Sequence, residues 1–318
     1  MSMVNQSKLI TILSDIHYHL LSILPNFSDL GAAILTHRCF HDTYKTQRKT
    51  VLHDVARNML GCLFDEALLL ARAQEAAYGL GDPCSDDLTT NTVFLVVNND
   101  YILRSLEVVV FGLLKSDEKK FDIYDSESLA RFAEEPFTIE ASPTEAIRFR
   151  GAGYRFWRFV LEPQRKKKEG KTFRDNIEVS GDFLKTFPPS RLLELNHFVH
   201  GISNLIYAMS RRPQESDGDW DFVSTVLSTG PENILRLWDA LQDGDSEFED
   251  DLNEAGGGFT YEMKEGFFSY PYGEAAESKK LNDIPGLRAL EPIFDGDNAK
   301  MREILEQFAK QMGTGERS

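Results

Sequence analysis

The stretch that decides the fold is residues 12–40, which read ILSDIHYHLLSILPNFSDLGAAILTHRCF. Ile16, Leu20 and Leu24 recur every four residues, a spacing that places them on one face of a helix. Pro25 follows directly, and a proline commonly marks the end of a helix because it cannot continue the hydrogen-bond pattern. The first part of this stretch therefore predicts an amphipathic helix that ends before Pro25.

A second helix is predicted after the proline. The Ser28 hydroxyl can accept a hydrogen bond from a first-turn amide, and the acid Asp29 is favoured near the positive end of a helix. The two helices together predict a helical hairpin. From the periodicity alone, the simplest interpretation is a hairpin that packs against the rest of its own chain.

Helical patterns continue along the chain. Ser142-Pro143-Thr144-Glu145 has the form of a capping box with proline at the first helical position, and it predicts a helix to about residue 161. Further helices are predicted at 50–78 with a break near Gly61, 91–114, 190–210, 231–241 and 298–312. We therefore predict an all-α fold: a helical module over 1–60 packed on a larger, irregular α-helical body over 61–318, with loops at 79–90, 162–182 and 243–285.

Composition narrows the classes of function. The chain has 318 residues and a net charge of −16, which argues against nucleic acid as a partner, because phosphate contacts need a basic surface. No apolar run of about 18 residues or signal peptide is apparent, so we expect no membrane association. Three cysteines fit a reduced protein of the cytoplasm or nucleus.

The order of residues in 12–40 resembles the opening of an F-box, the small three-helix module that docks onto the Skp adaptor of cullin-type ubiquitin ligases. In that pattern Leu-Pro-x-Glu-Ile is followed, after three residues, by Ile-Leu-Ser-x-Leu. Ile16, Leu20 and Leu24 fall at pattern positions, and Leu13 stands in place of the proline. Three further segments resemble stretches that recur in a group of fungal F-box-like proteins, namely 52–61, 142–157 and 227–238.

The resemblance implies an F-box-like interaction or adaptor protein that acts as a substrate receptor of a ubiquitin ligase. It implies two partners, a Skp-type adaptor protein and a target protein bound by the helical body, and neither a metal nor another cofactor. The residues expected to face the adaptor are Ile16, Leu20, Leu24, Pro25 and Leu30.

A second hypothesis is an enzyme of secondary metabolism on the same all-α body. Arg148, Arg155 and Arg158 interleave with aromatic residues in RFRGAGYRFWRF (148–159), and such arginines can bind a diphosphate bidentately. The alternative for this segment is an aromatic core helix whose arginines extend to solvent.

The same hypothesis draws on a second helix, in which Asn99, Asp100 and Glu107 share one face. Their spacing resembles the magnesium-binding Asn/Ser/Glu helix of class I terpene cyclases, with Leu103 in place of the hydroxyl residue. This resemblance implies a magnesium-dependent prenyl-diphosphate cyclase.

Overall fold

The structure is a computed structural model that describes residues 3–79, 89–115, 141–167, 180–210, 223–224, 226–242 and 268–281. Helices make up the regular structure of these ranges, and no strand occurs in them, so the prediction of an all-α fold is confirmed for the described residues. The chain divides into two compact units, Met1–Asp100 and Tyr101–Ser318. The first unit includes the predicted module of residues 1–60 and extends forty residues beyond it.

The described part of the first unit consists of helices that follow one another along the chain. They are α1 (Met3–Ser22), α2 (Phe27–Thr36), α3 (Arg38–Leu60), a 3-10 turn (Gly61–Leu63), α4 (Phe64–Tyr78) and the first part of α5 (Thr90–Lys115). The predicted break at Gly61 is confirmed, because this glycine adopts a φ of 55° between α3 and the 3-10 turn. The helical interpretation of 91–114 is confirmed as well.

The start of α2 differs from the prediction in its capping residue. Asn26, and not Ser28, is the N-cap, and its side-chain oxygen accepts a hydrogen bond from the Asp29 amide at 2.8 Å. The Asn26 amide group in turn donates to the Asp29 carboxylate at 3.0 Å. Ser28 is the second residue of α2, and a residue inside the helix cannot be its N-cap.

One buried cluster of the first unit forms where α1 and α2 both pack on α3. Its buried apolar side chains are Leu21, Leu30, Val51, Leu52, Val55 and Val93. Other apolar side chains of the hairpin pack against this cluster and stay partly exposed, among them Tyr18 and Leu24. The hairpin is therefore held by α3, which supplies half of the buried residues in this cluster.

The second unit contains the last part of α5 and the helices α6 (Pro143–Lys167), α7 (Pro189–Ser210), α8 (Pro231–Gln242) and α9 (Ser269–Ser278). The predicted capping box starts α6: the Ser142 amide donates to the Glu145 carboxylate at 2.8 Å, and the Glu145 amide donates to the Ser142 hydroxyl at 3.3 Å. The buried core of this unit contains aromatic side chains that contact one another, among them Phe111, Phe149, Phe156, Phe159, Phe198 and Phe268.

Two of the predicted loops contain helix. Helix α6 continues to Lys167, beyond the predicted start of the loop over 162–182, and residues 180–185 are also helical. Helix α9 lies inside the predicted loop over 243–285. Both loops were inferred from charge and from Gly/Pro content, which do not exclude a helix that is stabilised by packing. Most of the predicted loop 79–90 and the predicted helix 298–312 lie outside the described residues.

Among the residues that the structure describes, no helix combines the length and the apolar character that crossing a bilayer requires.

The close approach of α6 to its neighbours generates a stability prediction. A Cβ added at Gly153 would lie 2.5 Å from Leu103 Cδ2 and 3.2 Å from Phe198 Cε2, and both side chains are fully buried. We expect Gly153→Ala to lower the free energy of unfolding by about 1–3 kcal/mol, since the core must shift to admit the methyl group.

The matched control is Gly31→Ala in α2, where an added Cβ meets no atom within 4 Å. This substitution should stabilise the chain by up to ~1 kcal/mol through helix propensity. Urea unfolding followed by circular dichroism measures both variants. A Gly153→Ala variant as stable as the Gly31→Ala variant would contradict the close packing.

Candidate protein-interaction surface

From Leu13 onward, helix α1 carries apolar side chains on two faces, and only one of them is covered. Leu21 is fully buried on α3. Four large apolar residues remain well exposed: Leu13 at 48%, Ile16 at 50%, Leu20 at 44% and Ile23 at 57% of their accessible surface. We call these four residues the α1 stripe. Contiguous apolar surface of this kind commonly marks a site of protein interaction.

The spacing of the α1 stripe explains its geometry. Its residues follow one another at intervals of three, four and three positions, so they line one side of the helix over nearly three turns. Ile23 follows the last residue of α1, but its amide still donates to the His19 carbonyl at 3.3 Å. It therefore continues the helical register, and the stripe is about 15 Å long at the usual rise per residue.

The structure separates the five residues that were predicted to face an adaptor. Ile16, Leu20 and Pro25 are exposed, as that role requires. Leu24 is half-buried and packs against the core of the first unit.

Leu30 differs from the other members of this set. It retains only 3% exposure because α2 directs it into the cluster shared with α3. In the free chain Leu30 therefore stabilises the hairpin, and its contact with an adaptor stays a prediction from the sequence.

The prediction missed two members of the stripe, Leu13 and Ile23. Both lie three residues from a predicted member of the stripe. Residues three or four apart share one face of a helix, but the prediction used only the spacing of four. The position of Leu13 also explains why leucine is accommodated there. Helix α1 begins at Met3, so residue 13 lies in a helix interior, where proline would remove a hydrogen bond and clash with the preceding turn.

A hydrogen bond fixes the rotation of α1 on α3. The Tyr18 hydroxyl donates to the Asp54 carboxylate at 2.8 Å, and Asp54 lies within 3.5 Å of the His53 ring nitrogen. Tyr18 and Leu21 thus hold one face of α1 against α3, so the stripe faces away from it. The hydrogen bond to Asp54, followed by burial and the charge of Asp54, raises the pKa of Tyr18 above its usual value.

The chemistry of the α1 stripe is apolar. Its four members carry only hydrocarbon side chains, which cannot transfer protons or bind metals. What such a surface can do is lose water to a complementary partner, with a gain of roughly 25 cal/mol for each Å² of apolar surface covered. The arrangement is suited to binding.

Residues of the cyclase hypothesis lie in other environments. Asn99 is buried and forms a double hydrogen bond with the side chain of Gln74, donating to it at 2.7 Å and accepting from it at 3.1 Å. Asp100 is buried in the same part of α5. Asn99 and Gln74 each use their side-chain oxygen and their NH2 group in this pair, so Asn99 acts here as a structural residue.

Glu107 and the arginines of α6 form contacts within the second unit. Glu107 lies 3.1 Å from the Arg150 guanidinium, and the buried Arg155 donates to the Glu194 carboxylate at 2.7 Å. Arg148 is also buried, and the Arg158 guanidinium lies over the Phe183 ring at 5.3 Å from its centroid. These contacts agree with an aromatic core helix, although Arg148 and Arg155 are buried and do not extend to solvent.

A search of the described part of the chain finds no group of three or more His, Cys, Asp or Glu side chains arranged to hold a metal ion. The cyclase hypothesis and its magnesium site stay predictions from the sequence. Comparisons with known proteins add nothing to either hypothesis, because no family model, no curated protein and no solved structure matches the chain.

The Tyr18–Asp54 hydrogen bond generates a pH prediction. A raised folded-state pKa means that the contribution of Tyr18 to stability is complete below its unfolded-state pKa of 10.0 and is lost as the pH rises through the folded value. Tyr18→Phe should cost about 1 kcal/mol at neutral pH through the lost hydrogen bond. The difference between wild type and variant, measured by urea unfolding, should narrow above about pH 10. A gap that stays constant up to pH 11 would contradict the assignment.

The buried ion pair of α6 and α7 generates a further prediction. Glu194→Ala removes the 2.7 Å contact of the buried Arg155 with the Glu194 carboxylate and should lower the free energy of unfolding by about 3 kcal/mol. The control is Glu232→Ala, which breaks the exposed ion pair with Arg236 and should cost less than about 1 kcal/mol. Chemical denaturation compares the two. Equal costs would show that Glu194 is not a core residue of the second unit.

Proposed function

We propose that the chain is an F-box-like interaction protein whose first unit docks on a Skp-type adaptor through the α1 stripe, while its helical body binds a target protein. The observation that carries the proposal is the exposure of Ile16 and Leu20 in the part of the chain that resembles an F-box. A stripe that packed against its own chain would have left no docking surface.

The energy available from the stripe sets a requirement on the interface. Full burial of a large apolar side chain is worth about 1.5–3 kcal/mol, and the four stripe residues are about half exposed, so covering them supplies roughly 3–6 kcal/mol. A micromolar complex needs about 8 kcal/mol. The remainder must come from other exposed residues of the first unit, for which Pro25 and the 87% exposed Leu35 of α2 are candidates.

The division of the chain supports separate roles for its two units. The α1 stripe belongs to Met1–Asp100, whereas the buried arginines and the aromatic core belong to Tyr101–Ser318. In the proposed receptor, the second unit acts on the target side, and its buried ion pairs keep the helices that present the target-binding surface in place. The target is a protein in this proposal, and the adaptor connects the chain to the ligase.

The proposal is tested by a charge placed in the α1 stripe. Ile16→Asp and Leu20→Asp should each weaken binding of the full chain to a purified Skp-type adaptor by at least about 30-fold, because a carboxylate must lose its water at an apolar contact. Both positions are exposed, so the thermal unfolding midpoint should shift little. Isothermal titration calorimetry measures the affinity.

The matched control is Phe94→Asp, which alters another exposed apolar residue of the first unit outside the stripe. This variant should bind the adaptor as the wild type does. If the folded wild-type chain fails to bind the adaptor at about 100 µM, the proposed function is wrong. If all three variants bind equally well, the adaptor docks elsewhere.

A further inference from the structure

The end of α1 lies beside the α1 stripe and has an unusual cap. The last carbonyls of a helix have no partner within it, and they are commonly satisfied by a turn through a left-handed residue, usually glycine. Here the chain passes from Ser22 to Pro25 without one: among the described residues, positive φ values occur only at Gly61, Gly79, Gly230 and Lys280. Pro25 also lacks the amide that could close the turn.

A side chain from α3 supplies what the turn lacks. The Asn58 amide nitrogen donates to the Ser22 carbonyl at 2.7 Å and to the Leu24 carbonyl at 3.0 Å. The donor lies more than thirty residues away in sequence, so it connects the end of α1 to the end of α3. Ile23, the most exposed residue of the stripe, lies between the two carbonyls that Asn58 holds.

We propose that Asn58 is a positioning residue of the docking surface: its amide group fixes the turn Ser22–Pro25, so that Ile23 and Pro25 continue the surface formed by Ile16 and Leu20. The inference deepens the proposed adaptor docking and rests on it. Asn58 itself is exposed and need not touch the partner to have this effect.

The chemistry of the amide explains why this residue type is required. A carboxamide nitrogen carries two hydrogens, and each can point at one carbonyl oxygen. Aspartate has the same shape but has no donor, and its charge would face two carbonyl oxygens at the negative end of a helix. Glutamine keeps both donors on a longer stem, so it should restore part of the contact.

The test measures the affinity of the full chain for a purified Skp-type adaptor. Asn58→Asp should weaken binding about tenfold or more, and Asn58→Ala by about fivefold, because both variants lose the two hydrogen bonds. Asn58→Gln should weaken binding by only about twofold, because it restores part of them. Thr50→Asp, which adds the same charge at another exposed position of α3, should change affinity by less than about twofold.

A double-mutant cycle separates positioning from general stability. If Asn58 acts by holding Ile23, then Asn58→Ala should weaken binding much less in an Ile23→Ala background than in the wild type. A purely structural contribution would give additive losses. Additive losses, or an Asn58→Asp variant that binds as tightly as the wild type, would overturn the inference.

A measurement on the free protein keeps this inference distinct from the proposed function. Hydrogen exchange of the Ile23 and Leu24 amides, which donate to α1 carbonyls, should accelerate at least about fivefold in Asn58→Ala, while that of the Leu52 amide in α3 should not change. An unchanged rate at Ile23 would refute the role of Asn58. If Asn58→Ala shows the faster exchange but the wild-type chain binds no adaptor, the docking proposal is wrong and the role of Asn58 in the turn stands.

Discussion

The attachment of α1 to α3 determines what the first unit can do. Leu21 is buried against apolar residues of α3, and on the same side of α1 the Tyr18 hydroxyl donates a hydrogen bond to the Asp54 carboxylate. These two contacts fix how the helix is rotated about its axis. Because of that rotation, Leu13, Ile16 and Leu20 are about half exposed and form a continuous stripe with Ile23, which is the physical basis of the proposed docking surface.

The contacts of α3 extend this control to the whole hairpin. Residues of α3 cover Leu30 from α2, accept a hydrogen bond from Tyr18 near the end of α1, and hold the turn after α1 through Asn58. The hairpin that resembles an F-box is thus shaped by the helix that follows it. In the second unit, two of the three arginines that suggested a diphosphate site have other partners: Arg155 pairs with Glu194, and Arg158 lies over the Phe183 ring.

Much of the fold could be predicted because its signals are local. The capping box at Ser142, the glycine break at Gly61 and the periodicity of α5 depend on residues within a few positions of one another, and all three are confirmed. The sequence favours Ser28 as the N-cap of α2, but the structure has Asn26 in that position. Both residue types are good caps, and only the backbone conformation distinguishes them.

The site was harder to predict because it depends on contacts between distant residues. A stripe of apolar residues indicates a helix face but not whether a later helix covers that face, so Leu30 and Ile16 seemed equivalent although one is buried and the other exposed. The pairs Gln74–Asn99, Arg155–Glu194 and Asn58 with Ser22 join residues 25, 39 and 36 positions apart. Spacing along the sequence carries no signal for them.

The most direct test of this account is the solvent accessibility of individual methyl groups in the free, full-length chain. Paramagnetic relaxation enhancement from a neutral soluble probe, measured on the methyl groups of leucine and isoleucine, distinguishes the two faces of α1. We expect strong enhancement at Ile16, Leu20 and Ile23 and almost none at Leu21. Protection of Ile16 and Leu20 equal to that of Leu21 would show that the chain covers its own stripe, and the docking surface would not exist.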